Sequence, residues 1–271
     1  MKALVLSGGG SHGAFEVGVI KRLAELGHVW DLIVGVSAGA INALNMAMYA
    51  PSHQLEGARV LEQFWCAMQG NASVYRNWPF GPLQALTGAG GLYDTSPLEA
   101  FLRARFHAAA LASSGVVMRL GAVGLAGGKM AFGTEKDADP VKWTMASAAF
   151  PGVFPPVAIG SERYVDGGVR HTSPIMEAIS CGATEIDIVL AEPQDGASNP
   201  WDLKHAGNAA LVGIRAAEIM ANEVFVTDQD VLASFGGKYR TYAPYAPWDV
   251  DPLSFDPTAI RHMIDVGYGV P

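Results

Sequence analysis

Twice within its first fifty residues the sequence passes from a short strand-forming run, through a glycine turn, into an apolar helical segment. Lys2–Ser7 leads through Gly8, Gly9 and Gly10 into Gly13–Leu26, where Phe15, Val19, Leu23 and Leu26 recur at spacings of three and four. That spacing predicts a helix with one buried face, closed by Gly27. Leu32–Val36 then leads past Ser37 into Ala38–Ala50, a segment apolar almost all round and stopped by Pro51, which predicts a buried helix. Strand, glycine turn, helix, given twice, is the pattern of a parallel sheet with helices on both faces. Both turns are expected together at the carboxyl ends of their strands.

The rest of the chain continues in the same style. Leu55–Met68 predicts a helix, and Tyr75–Tyr93 a long connection in which Trp78, Phe80, Pro82, Leu83 and Leu86 sit among glycines. Such a stretch is either a lid or a connection pinned to the core by its aromatics. Ser96-Pro97-Leu98-Glu99 reads as a helix start, with Ser96 as N-cap and Glu99 as its capping-box partner, and the helix ends near His107. Val116–Leu125 and Lys129–Gly133, joined at Gly127-Gly128, read as a hairpin. Val141–Phe150 is expected to be helical up to Pro151, and Glu162–Val165 a strand entering Asp166-Gly167-Gly168. A helix over Ser173–Ser180, a strand over Ile186–Ala191, and helices over Asn208–Glu223 and Pro257–Val266 complete the expectation. With no repeat and no linker, residues 1–271 are expected to form one domain.

Composition narrows the function. The chain carries 18 basic and 26 acidic residues, a net charge of −8, with half of its residues apolar. Intrinsic disorder is excluded, and nucleic acid is not an expected partner, because duplex binding rests on clustered Lys and Arg. Two cysteines, Cys66 and Cys181, make no disulfide framework, so a reducing, cytoplasmic setting is expected. No secretory signal is read at the start. The longest apolar tract, Ala108–Gly128, contains Arg119 and is not read as a membrane span. Asn71-Ala72-Ser73 has the form of a glycosylation acceptor but is expected to be a plain loop.

Gly35-Val36-Ser37-Ala38-Gly39 fits the G-x-S-x-G elbow, a sharp strand-to-helix turn that lifts a serine hydroxyl above a sheet. The bland alternative is a glycine-flanked strand end with a capping serine. Gly8-Gly9-Gly10-Ser11-His12-Gly13 supports two readings. As G-x-G-x-x-G it would seat a dinucleotide pyrophosphate, with Asp31, eighteen residues past Gly13, on the ribose. As an oxyanion hole its unhindered amides would stabilise the negative oxygen of an attacked acyl carbonyl. A P-loop is excluded, because Ala14 and Phe15 stand where lysine and a hydroxyl residue are required. A serine nucleophile also needs a base. Of seven histidines, His171 and His262 are the better placed, yet Asp166, followed by two glycines after a strand, is the stronger candidate. To act, that carboxylate must be desolvated and held against the hydroxyl. Asp137/Asp139 and Asp249/Asp251 are read as solvated turns and no metal is expected; Met46 and Met48 are assigned to core packing ahead of an acyl channel.

These segments, with Ala146–Pro156 and Gly91–Asp94, stand in the order and spacing of the patatin-like phospholipases, which the chain resembles over most of its length. The resemblance implies a three-layer α/β/α fold with a mostly parallel sheet and a Ser-Asp dyad without histidine. It implies Ser37 as nucleophile, Asp166 as base, and the amides of Gly8, Gly9 and Gly10 as oxyanion hole, supported by Gly13, Gly35, Gly39, Gly167 and Gly168. The expected activity is hydrolysis of lipid or other carboxylic esters without a cofactor, with transient contact at a membrane or micelle surface. A dinucleotide-dependent oxidoreductase and a non-catalytic scaffold stand as alternatives. One position departs from the family, which usually has arginine or lysine where this chain has His12. His12 is therefore expected to bring a pH dependence, visible as a change in the acid limb of the rate profile when it is replaced by arginine.

Overall fold

The computed structural model describes residues 1–79, 81, 84, 88, 90–195 and 209–271. The chain forms β1 (Lys2–Leu6), α1 (Gly13–Glu25), β2 (Leu32–Val36), α2 (Ala38–Ala47), α3 (Gln54–Cys66), β3 (Arg76–Asn77), β4 (Tyr93–Asp94), α4 (Ser96–Arg103) and α5 (Ala108–Ser113). The hairpin follows as β5 (Val117–Gly124) and β6 (Met130–Thr134), then α6 (Pro140–Ser147), β7 (Val157–Ile159), β8 (Glu162–Asp166) and α7 (Ile175–Ser180). It ends with β9 (Glu185–Val189), α8 (Ala209–Thr227), β10 (Lys238–Tyr242) and α9 (Pro257–Tyr268).

Among the described residues the main sheet has eight strands in the order β10-β9-β1-β2-β5-β8-β7, with β6 on β5. The five strands from β10 to β5 are parallel, and β6, β7 and β8 run antiparallel to their neighbours. β1 shows why helices cover both faces. Leu4 and Leu6 join one apolar cluster with α1, α2, α3 and α9, whereas Ala3 and Val5 join another with Ile175 and Ala178 of α7 and Phe225 of α8. A strand buried on both sides has to be apolar at every buried position, and β1 beyond its exposed Lys2 and the whole of β2 are. The three-layer, mostly parallel α/β/α expectation is met.

Local readings differ in detail. Strand β7 is only three residues long, β10 and the small β3–β4 pair carry no distinct apolar run, and all of them escape the sequence pattern. The helix expected to reach His107 stops at Arg103, and α5 occupies the start of the Ala108–Gly128 tract. Ser96 is not the cap of α4. It lies inside the helix while Asp94 accepts its N–H and its hydroxyl, each at 2.8 Å. A carboxylate two residues upstream satisfies the helix start better than one hydroxyl, and Glu99 is left to pair with Arg103. In the Tyr75–Tyr93 connection, β3 pairs with β4, Tyr75 packs on Tyr93, Phe154 and Phe255, and the Trp78 indole donates to Gly91 O at 3.0 Å. Phe80, Pro82, Leu83 and Leu86 lie outside the described residues, as does Asn208 at the start of the helix expected there.

Candidate active site

The elbow forms where β2 ends. Ser37 has φ 56 and ψ −123, and among the described residues no other non-glycine residue has positive φ. A side chain in that region is strained, and such strain persists only where the surroundings dictate it. The surroundings here are backbone: Gly39 N–H donates to Ser7 O at 3.1 Å, tying the first turn of α2 to the end of β1. Ser37 is half-buried at the floor of a cleft.

Asp166 reaches the same floor from the opposite direction. β5 outruns β2, whose last residue, Val36, stands level with Gly121. The antiparallel β8 descends along this extension, from Tyr164 beside Gly124 to Asp166 beside Ala122. One strand rises to Ser37 and the other comes down to Asp166, separated by the small residues Gly121 and Ala122. Asp166 is 2% exposed. Burial pushes its carboxyl up from the ordinary range to about 7, opposed by the Gly168 N–H on Oδ1 at 2.8 Å and by the nearby Ser37 hydroxyl. A carboxylate in this state is poised near neutrality to take a proton from the hydroxyl it faces.

The glycine loop forms the third side. Gly8 is buried and its N–H donates to Thr172 O at 2.9 Å, which makes it a backbone anchor and removes it from the expected set of open donors. Gly9 and Gly10 are half-buried at the cleft, and no hydrogen bond among the described residues takes either N–H. Gly10 has φ +58, and a Cβ there would stand 2.2 Å from Pro252 O, so only glycine fits. The loop is strapped from outside: Ser11 N–H donates to Pro252 O at 2.7 Å, and the His12 ring meets Val250 O at 2.9 Å and the Glu192 carboxylate. His12 is buried and faces this strap, not the cleft. Both ring nitrogens meet acceptors.

Behind the loop lies a group that sequence reasoning missed. Glu16 is fully buried and accepts from Ser7 N–H at 2.8 Å and Asn42 Nδ2 at 2.8 Å. Burial pushes its carboxyl up to about 8 against these bonds. Asn42 in turn accepts from the Trp65 indole at 2.7 Å and donates to Gly13 O at 3.1 Å, so one network joins β1, α1, α2 and α3 under both glycine turns. The only signal in the sequence is an acid amid Ala14, Phe15 and Val17.

The cleft holds about 830 Å³ including its open mouth and is walled largely by apolar groups, among them Ala148, Phe150, Phe154, Phe225 and Leu253. That fits an acyl chain better than a polar ligand. Among the described residues no histidine lines it. His171 pairs with Asp228 at 2.7 Å, which together with that carboxylate's charge raises its pKa, and His262 is exposed on α9. Asp31 sits before β2 and accepts from Lys2 N–H at 2.9 Å, at the end of the sheet opposite the glycine loop. It cannot serve a ribose there, and this removes the second half of the dinucleotide reading. Asp139 caps α6, Asp251 caps Leu253 N–H, and among the described residues no group of three potential ligands could hold a metal. Met46 and Met48 belong to the core.

A sequence profile described as Patatin-like phospholipase matches residues 4–179, well over half the chain. The chain belongs to the patatin-like phospholipase family. An uncharacterized NTE family protein of Mycobacterium tuberculosis is 27% identical to this patatin-like chain over 206 residues, covering 70% of it and 30% of the relative. Patatin-like phospholipase domain-containing protein 7 of Mus musculus is 25% identical over 214 residues, 76% of this chain and 14% of the relative. The chain thus spans less than a third of these curated relatives. The solved structure of VipD from Legionella pneumophila aligns with TM-score 0.47 and 16% identity, over 98% of this chain and 65% of that one. No helix among the described residues of the patatin-like chain is long and apolar enough to cross a membrane.

Proposed function

We propose that the chain hydrolyses carboxylic esters of lipids through a Ser37-Asp166 dyad and an acyl-enzyme. The observation that carries this reading is a buried carboxyl, pushed up to about 7, facing the hydroxyl of a strained elbow. Asp166 takes the Ser37 proton as Oγ attacks the ester carbonyl. The Gly9 and Gly10 amides receive the developing oxyanion at the point where α1 begins, with Gly8 holding the loop. The leaving alcohol takes the proton from Asp166, and water, activated by the same carboxylate, releases the acid. The apolar walls hold the acyl chain, and the substrate is met dispersed or at a membrane or micelle surface. No cofactor enters this scheme.

The test is hydrolysis of nitrophenyl esters from acetate to palmitate, with mass detection of a fluorophosphonate adduct. Ser37→Ala is expected to remove the adduct and to lower kcat by roughly 10⁴- to 10⁶-fold. A wild-type chain with neither turnover nor adduct would support the non-catalytic scaffold instead.

A further inference from the structure

Ser147, the last residue of α6, is fully buried and is not part of the cleft wall. Its hydroxyl donates to Gly121 O at 2.6 Å and accepts the Ser37 N–H at 2.9 Å. That N–H has no other natural partner. The β2–β5 ladder ends at Val36 and Gly121, and α2 begins at Ala38, so an elbow residue belongs to neither. Two residues later Ala149 O accepts the Asp166 N–H at 2.9 Å. A short turn, Ser147–Ala149, therefore grips the backbone N–H of both residues of the dyad.

We propose that the Ser147–Ala149 turn sets the distance between Ser37 and Asp166, and that Ser147 is a positioning residue acting through the Ser37 amide. The inference rests on the hydrolase reading above. The three backbones meet at one place: Gly121 O takes the Ser147 hydroxyl and lies 2.4 Å from where a Cβ on Gly167 would stand. The strand that carries Asp166 is thus packed against the carbonyl to which Ser147 is bound. Removing the hydroxyl leaves the Ser37 N–H and Gly121 O without partners at the point where the elbow is most strained. The elbow then relaxes, the hydroxyl moves from the carboxylate, and the bound ester keeps its acyl contacts because Ser147 touches none of them.

Ser147→Ala is expected to lower kcat on nitrophenyl butyrate by about 100-fold, the scale of a misplacement near 1 Å, with KM within about twofold of wild type. Ser147→Thr, which keeps the hydroxyl, is expected to recover most of that loss. Wild-type kcat in Ser147→Ala, or a loss that threonine leaves unrepaired in a chain of wild-type thermal stability, overturns the proposal. If Ser147→Ala does not fold, Ser147→Cys is read by the same kcat and KM split. A crystal structure of the folded variant separates this proposal from the hydrolase reading, since it needs no turnover. Ser37 is expected to leave the positive-φ region, and a Ser37 that stays there beside Asp166 overturns the positioning role even if no ester is cleaved.

Discussion

Exchanging Asp166 for asparagine is expected to lower kcat/KM on nitrophenyl esters by on the order of 10²- to 10⁴-fold and, at alkaline pH, to raise thermal stability. Both effects come from the same burial. The unfolded chain releases the Asp166 proton in the ordinary carboxylate range, whereas the folded one holds it to about 7. Folding is therefore favoured by the protonated acid, and that contribution is full below the unfolded value and lost as pH rises toward 7. Asparagine is neutral throughout and keeps an oxygen for the Gly168 N–H, so the variant should match wild type in Tm near pH 4 and exceed it by several degrees near pH 8. Glu16, pushed up to about 8, adds a slope of the same sign to both proteins and cancels in the comparison. Catalysis runs the other way, since only the ionised base accepts a proton. Wild-type kcat/KM should climb about tenfold per unit below a midpoint near 7 and level off above it. A variant of wild-type turnover, or a wild-type profile flat from about pH 5 to 8, would remove Asp166 from the role of base.

Gly35→Ala is expected to abolish measurable turnover while costing about 1–3 kcal/mol of stability or more, read from the denaturant midpoint. An alanine Cβ at that position would stand 2.2 Å from Gly39 O and 2.5 Å from its carbonyl carbon. Both are backbone atoms of the first turn of α2, so no rotamer change relieves the contact. The helix must move, and with it Ser37, whose Oγ is useful only over Asp166. Alanine is ordinarily no worse than glycine inside a strand, and a preference of under about 1 kcal/mol cannot offset a clash of this size. Retained activity would show that the elbow tolerates a shift of its helix and that its tightness is not a catalytic requirement.

Much of this site is written locally, which is why it could be read from the sequence. An elbow glycine, a serine and a second glycine turn act through steric demands that neighbouring residues impose on one another, and Ser37, Asp166, Gly9 and Gly10 come together where adjacent strands require. What could not be read depends on contacts between distant segments. Nothing around Gly8 indicates that its amide is taken by Thr172 O, since the partner is a backbone group with no sequence signature. Ser147 stands in a recognisable motif, yet its bond to the Ser37 N–H exists only because α6 ends over the elbow. Glu16 stands in the first turn of a helix, where acids are common and draw no notice, and only the packing of α2 reveals it as buried. The edge strands β7 and β10 escaped for a related reason: exposed on much of their surface, one has only the three residues Val157–Ile159 and the other mixes polar and aromatic residues, so neither shows the longer apolar run that marks β1 and β2.

The bond-making groups proposed here fall within residues 4–179, whereas Glu192, Asn222, Phe225, Pro252 and Leu253 of the cleft wall come from the remainder. The later segment secures the glycine loop largely through the carbonyls of Val250 and Pro252, which every amino acid possesses. Apart from Glu192, whose carboxylate meets the His12 ring, side chains along that wall can therefore drift without loosening the reactive half. For evolution, and for a library confined to residues 180–271, the proposed hydrolase reading then makes preference among esters separable from the ability to cleave them, adjustable at wall positions other than Glu192.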